Sequence, residues 1–273
     1  FFKTTEAQWN SLKPSDNSIT FHGLSNEISV PLPSLPQYTQ GAVAKRIEFL
    51  GDSITEGIPG VPYVPKIKKR FTESILINRG LGGDTVSSIF SRVVKMDDLD
   101  SFDQIVLFVG VNDIFGRMTK TYKILKILRK QRWAKCSSDF KEKYNSLVKH
   151  IQNKNSNIIL ISPLLIGEDI NNKWNLDLYE LRKAISDISN QNNLPYLDVY
   201  SSFVKHLSGK IINDYLPLKL SVIYGDLKSL NNSLLIDQKS TERGLHLTLD
   251  GVHLNTVGAD ILSEAIIDYF GKI

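Results

Sequence analysis

The sequence predicts an α/β domain built on a doubly wound sheet of about five parallel strands. Three observations carry this reading: short runs rich in Ile, Leu and Val are bounded by breakers, they alternate with stretches of helical periodicity from Lys45 onward, and clusters of glycine and polar residues follow directly on several of them. With 273 residues, 41% hydrophobic and 23% charged, the chain can bury one large core and leaves little room for a second full domain.

Taken in order, residues 1 to about 42 are rich in Ser, Pro and Asn and contain only two strand-like pieces, Ser18–Phe21 and Glu27–Val30. They are expected to form an extension packed on a main domain at 43–273. The strands of that domain are expected at Arg46–Leu50, Ser74–Asn78, Gln104–Val109, Asn157–Ser162 and Pro195–Val199. Between them, Val86, Ile89, Phe90 and Val93, then Phe140, Tyr144, Leu147, Val148 and Ile151, then Leu178, Leu181, Ile185 and Ile188 recur at helical spacing. A last helix is expected from about Thr256 to Phe270, burying Ile261, Leu262, Ala265, Ile266 and Tyr269. Two segments break the alternation. Arg117 to Lys135 is basic, and its part from Thr119 to Lys130 reads as an amphipathic helix, either a solvated surface helix or a lid meeting an anionic lipid or polysaccharide. His206 to Thr248 is weakly patterned, and insertions of this kind are expected near the mouth of a site.

Composition excludes several classes of function. A net charge of +4 is too mild to imply a nucleic-acid partner. A single cysteine, Cys136, allows no internal disulfide and no cysteine-rich metal site. The longest apolar stretch, Ile158 to Gly167, contains Ser162 and Pro163 and falls short of the ~20 residues that span a bilayer. The chain opens on Phe1-Phe2 rather than methionine, which is read as loss of an N-terminal segment. Secretion after signal-peptide removal and cytoplasmic residence both remain open.

Chemistry is expected where open α/β sheets build their sites, at the C-terminal ends of the strands. The first strand runs into Gly51-Asp52-Ser53-Ile54-Thr55-Glu56-Gly57, a setting that suits either an exposed nucleophilic serine or a helix N-cap. The second runs into Gly80-Leu81-Gly82-Gly83-Asp84-Thr85, which permits close backbone approach to a ligand or a plain tight turn, and lacks dinucleotide-binding glycine spacing. The third ends in Gly110-Val111-Asn112-Asp113, where Asn112 can donate to an oxyanion or the pair can cap a helix. Before the last helix stands Asp250-Gly251-Val252-His253. This spacing lets a carboxylate reach the imidazole Nδ1–H and turn Nε2 toward a nucleophile, or simply caps a turn beside a packed histidine. His22, His150, His206 and His246 have no such context.

The four blocks together, in this order and strand context, resemble those of the SGNH, or GDSL-like, hydrolase superfamily, over Lys45 to about Phe270. The resemblance implies a three-layer α/β/α, flavodoxin-like sheet. It also implies Ser53 as nucleophile, His253 as base, Asp250 as its orienting carboxylate, and Ser53, Gly83 and Asn112 as oxyanion donors, with Gly82 the neighbouring choice for the glycine. The first block reads Ile54 where the family shorthand has leucine. By the same resemblance no cofactor is expected, and the sequence carries no paired-cysteine or H-E-x-x-H metal motif. The expected substrate is a small ester or acylated carbohydrate, with short-acyl, above all acetyl, hydrolysis preferred. The competing readings are a lysophospholipase or thioesterase, an acyltransferase, a non-catalytic carbohydrate- or lipid-binding module, and a flavodoxin-like nucleotide binder. The last of these leaves the Asp-x-x-His block unexplained.

Overall fold

The computed structural model describes residues 44–118, 123–124, 127–128, 131–213, 215–216 and 232–272, together with two short strands in the first unit. The chain divides into two compact units, 1–42 and 43–273. In the first, β1 (Ser18–Thr20) and β2 (Ser29–Pro31) pair antiparallel.

The second unit is built on β3 (Arg46–Gly51), β4 (Ile75–Gly80), β5 (Gln104–Phe108), β6 (Ile158–Ile161) and β7 (Tyr196–Leu197). All pair in parallel, in the order β4-β3-β5-β6-β7. The central strands β5 and β6 are buried along their whole length, which explains why they read as continuous apolar runs. The fifth strand is shorter than its apolar run suggested. Asp198 caps a helix by accepting from the Ser201 N–H, so Val199 opens that helix and does not close the strand.

The helices are α1 (Ser53–Glu56), α2 (Val64–Arg70), α3 (Val86–Val93), α4 (Val111–Met118), α5 (Ser137–Gln152), α6 (Lys173–Asn192), α7 (Val199–Leu207), α8 (Ser233–Glu242) and α9 (Thr256–Phe270). Contacts link α3, α5 and α6 into one layer and α2, α9 and α7 into the other, with α8 against α9. The sheet flanked by these layers is the expected three-layer α/β/α fold. Every apolar position predicted for α5 and α6 is buried. In α3 Phe90 is only half-buried, its ring meeting His150 edge-on. In α9 the buried stripe is rotated from the expected one. Ala259, Leu262, Ile266 and Phe270 face the core, and Phe270 rather than Tyr269 is the buried aromatic, packed edge-on against Phe71.

Most of the predicted helix from Thr119 to Lys130 lies outside the described residues. Residues 123–124 and 127–128 are helical and exposed. No described helix is long and apolar enough to cross a membrane.

Candidate active site

Three of the four blocks meet because of sheet register. Gly51, at the end of β3, is paired with Gly80 on one side and Phe108 on the other. The turns carrying Ser53, Gly82-Gly83 and Asn112 therefore leave the sheet at one level, at the crevice where the chain reverses its direction of winding. Gly80 must be glycine: a Cβ there would lie 2.1 Å from the Glu56 backbone nitrogen, which packs directly on it.

After β3 the chain turns at once into α1. The N-cap is Asp52, whose Oδ1 accepts from the Ile54 N–H at 3.0 Å, so Ser53 is the first helical residue and not the cap. At that position its backbone N–H has no carbonyl within the helix to bond. Ser53 Oγ lies 2.9 Å from His253 Nε2 across 200 residues of sequence. The His253 Nδ1 is 2.7 Å from Asp250 Oδ2. The other Asp250 oxygen accepts from the backbone N–H groups of His253 at 2.8 Å and Val252 at 3.0 Å. Burial opposes ionisation of Asp250, but the His253 charge, its ring hydrogen bond and the two backbone donors overcome that and hold its carboxyl below the ordinary value. A histidine so paired keeps its proton on Nδ1 and presents Nε2 to the serine as an acceptor.

Asn112 stands in the first turn of α4, and its Nδ2 donates to Asp52 Oδ2 at 3.1 Å. Asp52 thereby ties the Asn112 amide to the turn that carries Ser53. Burial pushes the Asp52 carboxyl up to about 6, against the lowering effects of the Ile54 N–H, the His253 charge and the Asn112 amide. Asp113 bonds the start of a helix, but one distant in sequence. It is fully buried and accepts from the Val86 N–H at 2.9 Å and the Ala134 N–H at 2.8 Å, fastening the start of α3.

In the glycine block, the Gly82 N–H donates to Glu56 Oε2 at 2.7 Å. Gly83, next in the chain, has a φ of 83°, a left-handed conformation natural to glycine. Of the aromatics near these blocks, Tyr63 is wholly buried between Phe49 and Phe108 and bonds Thr55, so it belongs to the core. Trp174 is half-buried at the start of α6, beneath Lys173.

Two supports of the Asp250–His253 loop have no counterpart in the sequence reading. Glu168, in the turn after β6, is 1% exposed and binds the loop's backbone. From the stretch read as an insertion, α8 grips the same loop: Ser240 Oγ donates to Thr248 O at 2.7 Å and Arg243 Nη1 donates to Leu249 O at 2.7 Å. The one available clue to Glu168 was its place just past a strand, at the edge where the other blocks fall. Among the described residues no group of three or more His, Cys, Asp or Glu side chains is arranged to hold a metal ion.

The arrangement suits nucleophilic attack by a serine with a histidine general base. Among curated protein sequences none matches the chain. Solved structures of similar fold include an α/β hydrolase from the metagenome of Lake Arreo, Spain, at 17% identity and TM-score 0.60, over 85% of this chain and 97% of that one. They include an acetyl xylan esterase at 20% identity and TM-score 0.59, over 82% and 98%. A lipase/acylhydrolase from Enterococcus faecalis is 20% identical at TM-score 0.55, over 84% and 96%. The sequence model of the GDSL-like Lipase/Acylhydrolase family matches residues 49–261, most of the chain, from β3 into α9. On that match, with the sheet and the four blocks in place, the chain belongs to the GDSL-like lipase/acylhydrolase family of carboxylic ester hydrolases.

Proposed function

We propose that the protein is a serine esterase that removes short acyl groups, chiefly acetyl, from hydroxyls such as those of a carbohydrate, with Ser53, His253 and Asp250 as its triad. The observation that carries this reading is the continuous relay from Ser53 Oγ to His253 Nε2 at 2.9 Å and from His253 Nδ1 to Asp250 Oδ2 at 2.7 Å.

In this mechanism Ser53 Oγ attacks the ester carbonyl as its proton passes to His253 Nε2. The carbonyl π electrons move onto oxygen, and the resulting oxyanion is met by the N–H groups of Ser53 and Gly83 and the amide of Asn112. Collapse breaks the bond to the alcohol oxygen, which leaves with the proton from His253. Water then loses a proton to the same nitrogen and attacks the acyl-enzyme, and a second collapse frees the acid and restores Ser53. Asp250 holds the ring and stabilises its positive charge without itself taking the proton.

The short-acyl preference is supported by the similarity of fold to an acetyl xylan esterase. Hydrolysis of p-nitrophenyl esters from acetate to palmitate, by the wild type and by Ser53→Ala, tests it. Turnover should be greatest on acetate or butyrate and be abolished by the substitution. An optimum at long chains would refute the substrate class, and turnover unaffected by the substitution would refute the nucleophile. Release of acetate from acetylated xylan, with free acid rather than a transferred ester as product, tests the carbohydrate and hydrolytic parts of the reading.

A further inference from the structure

We infer that Glu168 is a positioning residue for the catalytic base, a carboxylate clamp that sets where the Asp250–His253 turn stands relative to Ser53. The inference rests on the triad reading above and adds a residue that the four blocks do not contain.

One buried carboxylate gathers four donors from a single loop. Oε1 accepts from the N–H groups of Leu247 at 2.8 Å and Thr248 at 2.9 Å and from the Thr248 hydroxyl at 2.7 Å. Oε2 accepts from the His246 N–H at 2.8 Å. The Thr248 oxygen in turn accepts from the Gly251 N–H at 3.0 Å, and the Gly167 N–H donates to Gly251 O at 2.7 Å. Asp250 is thus bracketed on both sides, at Thr248 and at Gly251, by groups tied to residues 167 and 168. Glu168 itself sits on a fixed mount, because Asn175 in α6 accepts from the Ile166 N–H and donates to the carbonyls of Ile166, Gly167 and Asp169.

The loop needs such a clamp. Asp250 and His253 form one self-bonded turn that precedes α9, with only an isolated bridge between Thr248 and Leu254 as regular structure. The internal bonds of that turn fix its shape but not its position. Position comes from outside: from Glu168 on the loop's N–H groups, from α8 on its carbonyls, and from the Val61 N–H on Leu254 O at 2.8 Å. Displacing a catalytic group by about 1 Å costs on the order of 10² in rate. A glutamine replaces the clamp only in part, because with its oxygen on the Leu247 and Thr248 donors it sets its NH₂ group against the His246 N–H, a donor that needs an acceptor.

The test compares wild type, Glu168→Gln and Thr248→Val, each checked for folding by thermal melting. Two rates are measured: p-nitrophenyl acetate hydrolysis and covalent trapping of Ser53 by a fluorophosphonate, in which Oγ bonds phosphorus, fluoride leaves and His253 takes the proton. Glu168→Gln should lower kcat and the trapping rate together by roughly 10- to 100-fold with KM within about twofold, as expected for a base that is misplaced while the pocket stays intact. A far-downfield proton resonance of His253 Nδ1–H is expected in the wild type from its 2.7 Å bond to Asp250 and should broaden or vanish in Glu168→Gln. Thr248→Val, which keeps the backbone bonds, should show a smaller effect in the same direction, and it decides the matter if Glu168→Gln does not fold. A folded Glu168→Gln, or failing it Thr248→Val, with trapping rate and kcat like wild type overturns the inference and leaves the triad standing. Failure to label Ser53 in the wild type overturns the triad and this inference with it.

Discussion

The turn that carries Ser53 and the loop that carries His253 meet at the Ser53–His253 hydrogen bond but differ in how they are anchored, one on the end of a strand and the other away from the sheet. The serine turn is shaped by its neighbours, with Asp52 capping α1 through Ile54 and the Glu56 N–H bonding back to Asp52 O, and it is then tied to the adjacent strand ends by Asn78 Nδ2 on Thr55 O at 2.6 Å and Asn112 Nδ2 on Asp52 Oδ2 at 3.1 Å. The histidine loop is built from a distance, by a glutamate 78 to 80 residues earlier in the chain and by α8. A serine on a strand-to-helix turn inherits the rigidity of the sheet. A histidine on a loop has to be given its rigidity by contacts of its own.

The largest effects should come from cutting the contact between the two regions. Ser53→Ala and His253→Ala are each expected to lower kcat by about 10⁶ and Asp250→Ala by about 10⁴, with ester turnover as the measure. Equal losses in all three would mean that Asp250 does more than orient the ring, and small losses in all three would show the relay to be misassigned. Because the bonds that hold the serine turn are made by Asp52, Thr55 and Glu56 and not by the Ser53 hydroxyl, Ser53→Ala should melt within a degree or two of the wild type.

Next in size is the oxyanion side. Asn112→Ala should cost about 10²–10³ in kcat with little change in KM, as loss of one such donor does in other hydrolases. It would also remove the Asn112 donor from Asp52, so Asn112→Asp, which sets carboxylate against carboxylate, should be worse than alanine. If alanine is the more damaging, the amide's bond to Asp52 is not what places it. A step smaller is Glu56→Ala, which releases the Gly82 N–H from its 2.7 Å bond and lets the segment leading to Gly83 relax. About a tenfold fall in kcat is expected, and an unchanged kcat would detach this glycine turn from catalysis.

The same contrast explains what could be read from the sequence. All five strands, the helical stripes of α5 and α6 and the start and end of α9 were legible, because burial on a sheet face imposes a period that a sequence displays. The Gly51–Gly57, Gly82-Gly83, Asn112 and Asp250–His253 blocks were legible because each is short and follows a strand or precedes a helix. Glu168 was not, since a glutamate that binds backbone N–H groups far along the chain leaves no local pattern. Nor was α8, which buries only Ile236 and Ser240 and so shows hardly any apolar stripe. The extent of β7 was misjudged because an N-cap at Asp198 outcompeted the apolar run that continues into Val199. Hydrophobic period reveals what faces the core, whereas polar clamps become visible only once the chain is folded.

The smallest expected effects concern the two aspartates, and they have opposite signs. Asp52 is buried with its carboxyl raised to about 6, so the fold favours its protonated form. Its contribution is most favourable below the unfolded value of 3.8 and is lost as pH rises toward about 6. Asp250 is held below its ordinary value, so its contribution is present above 3.8 and is lost as pH falls through the folded value. Asparagine at either position removes the titration and leaves a pH-independent offset. The melting temperature of Asp52→Asn relative to wild type should therefore rise by a few degrees between pH 4 and 6 and stay level above. That of Asp250→Asn should improve relative to wild type as the pH is lowered from 5 toward 3. Melting curves of the three proteins across pH 3 to 8 measure both. Parallel curves would show that the carboxylate of the serine turn and that of the histidine loop sit in equivalent surroundings. Diverging curves would show that burial prevails at Asp52, whereas at Asp250 the His253 charge, its ring hydrogen bond and the two backbone donors outweigh it.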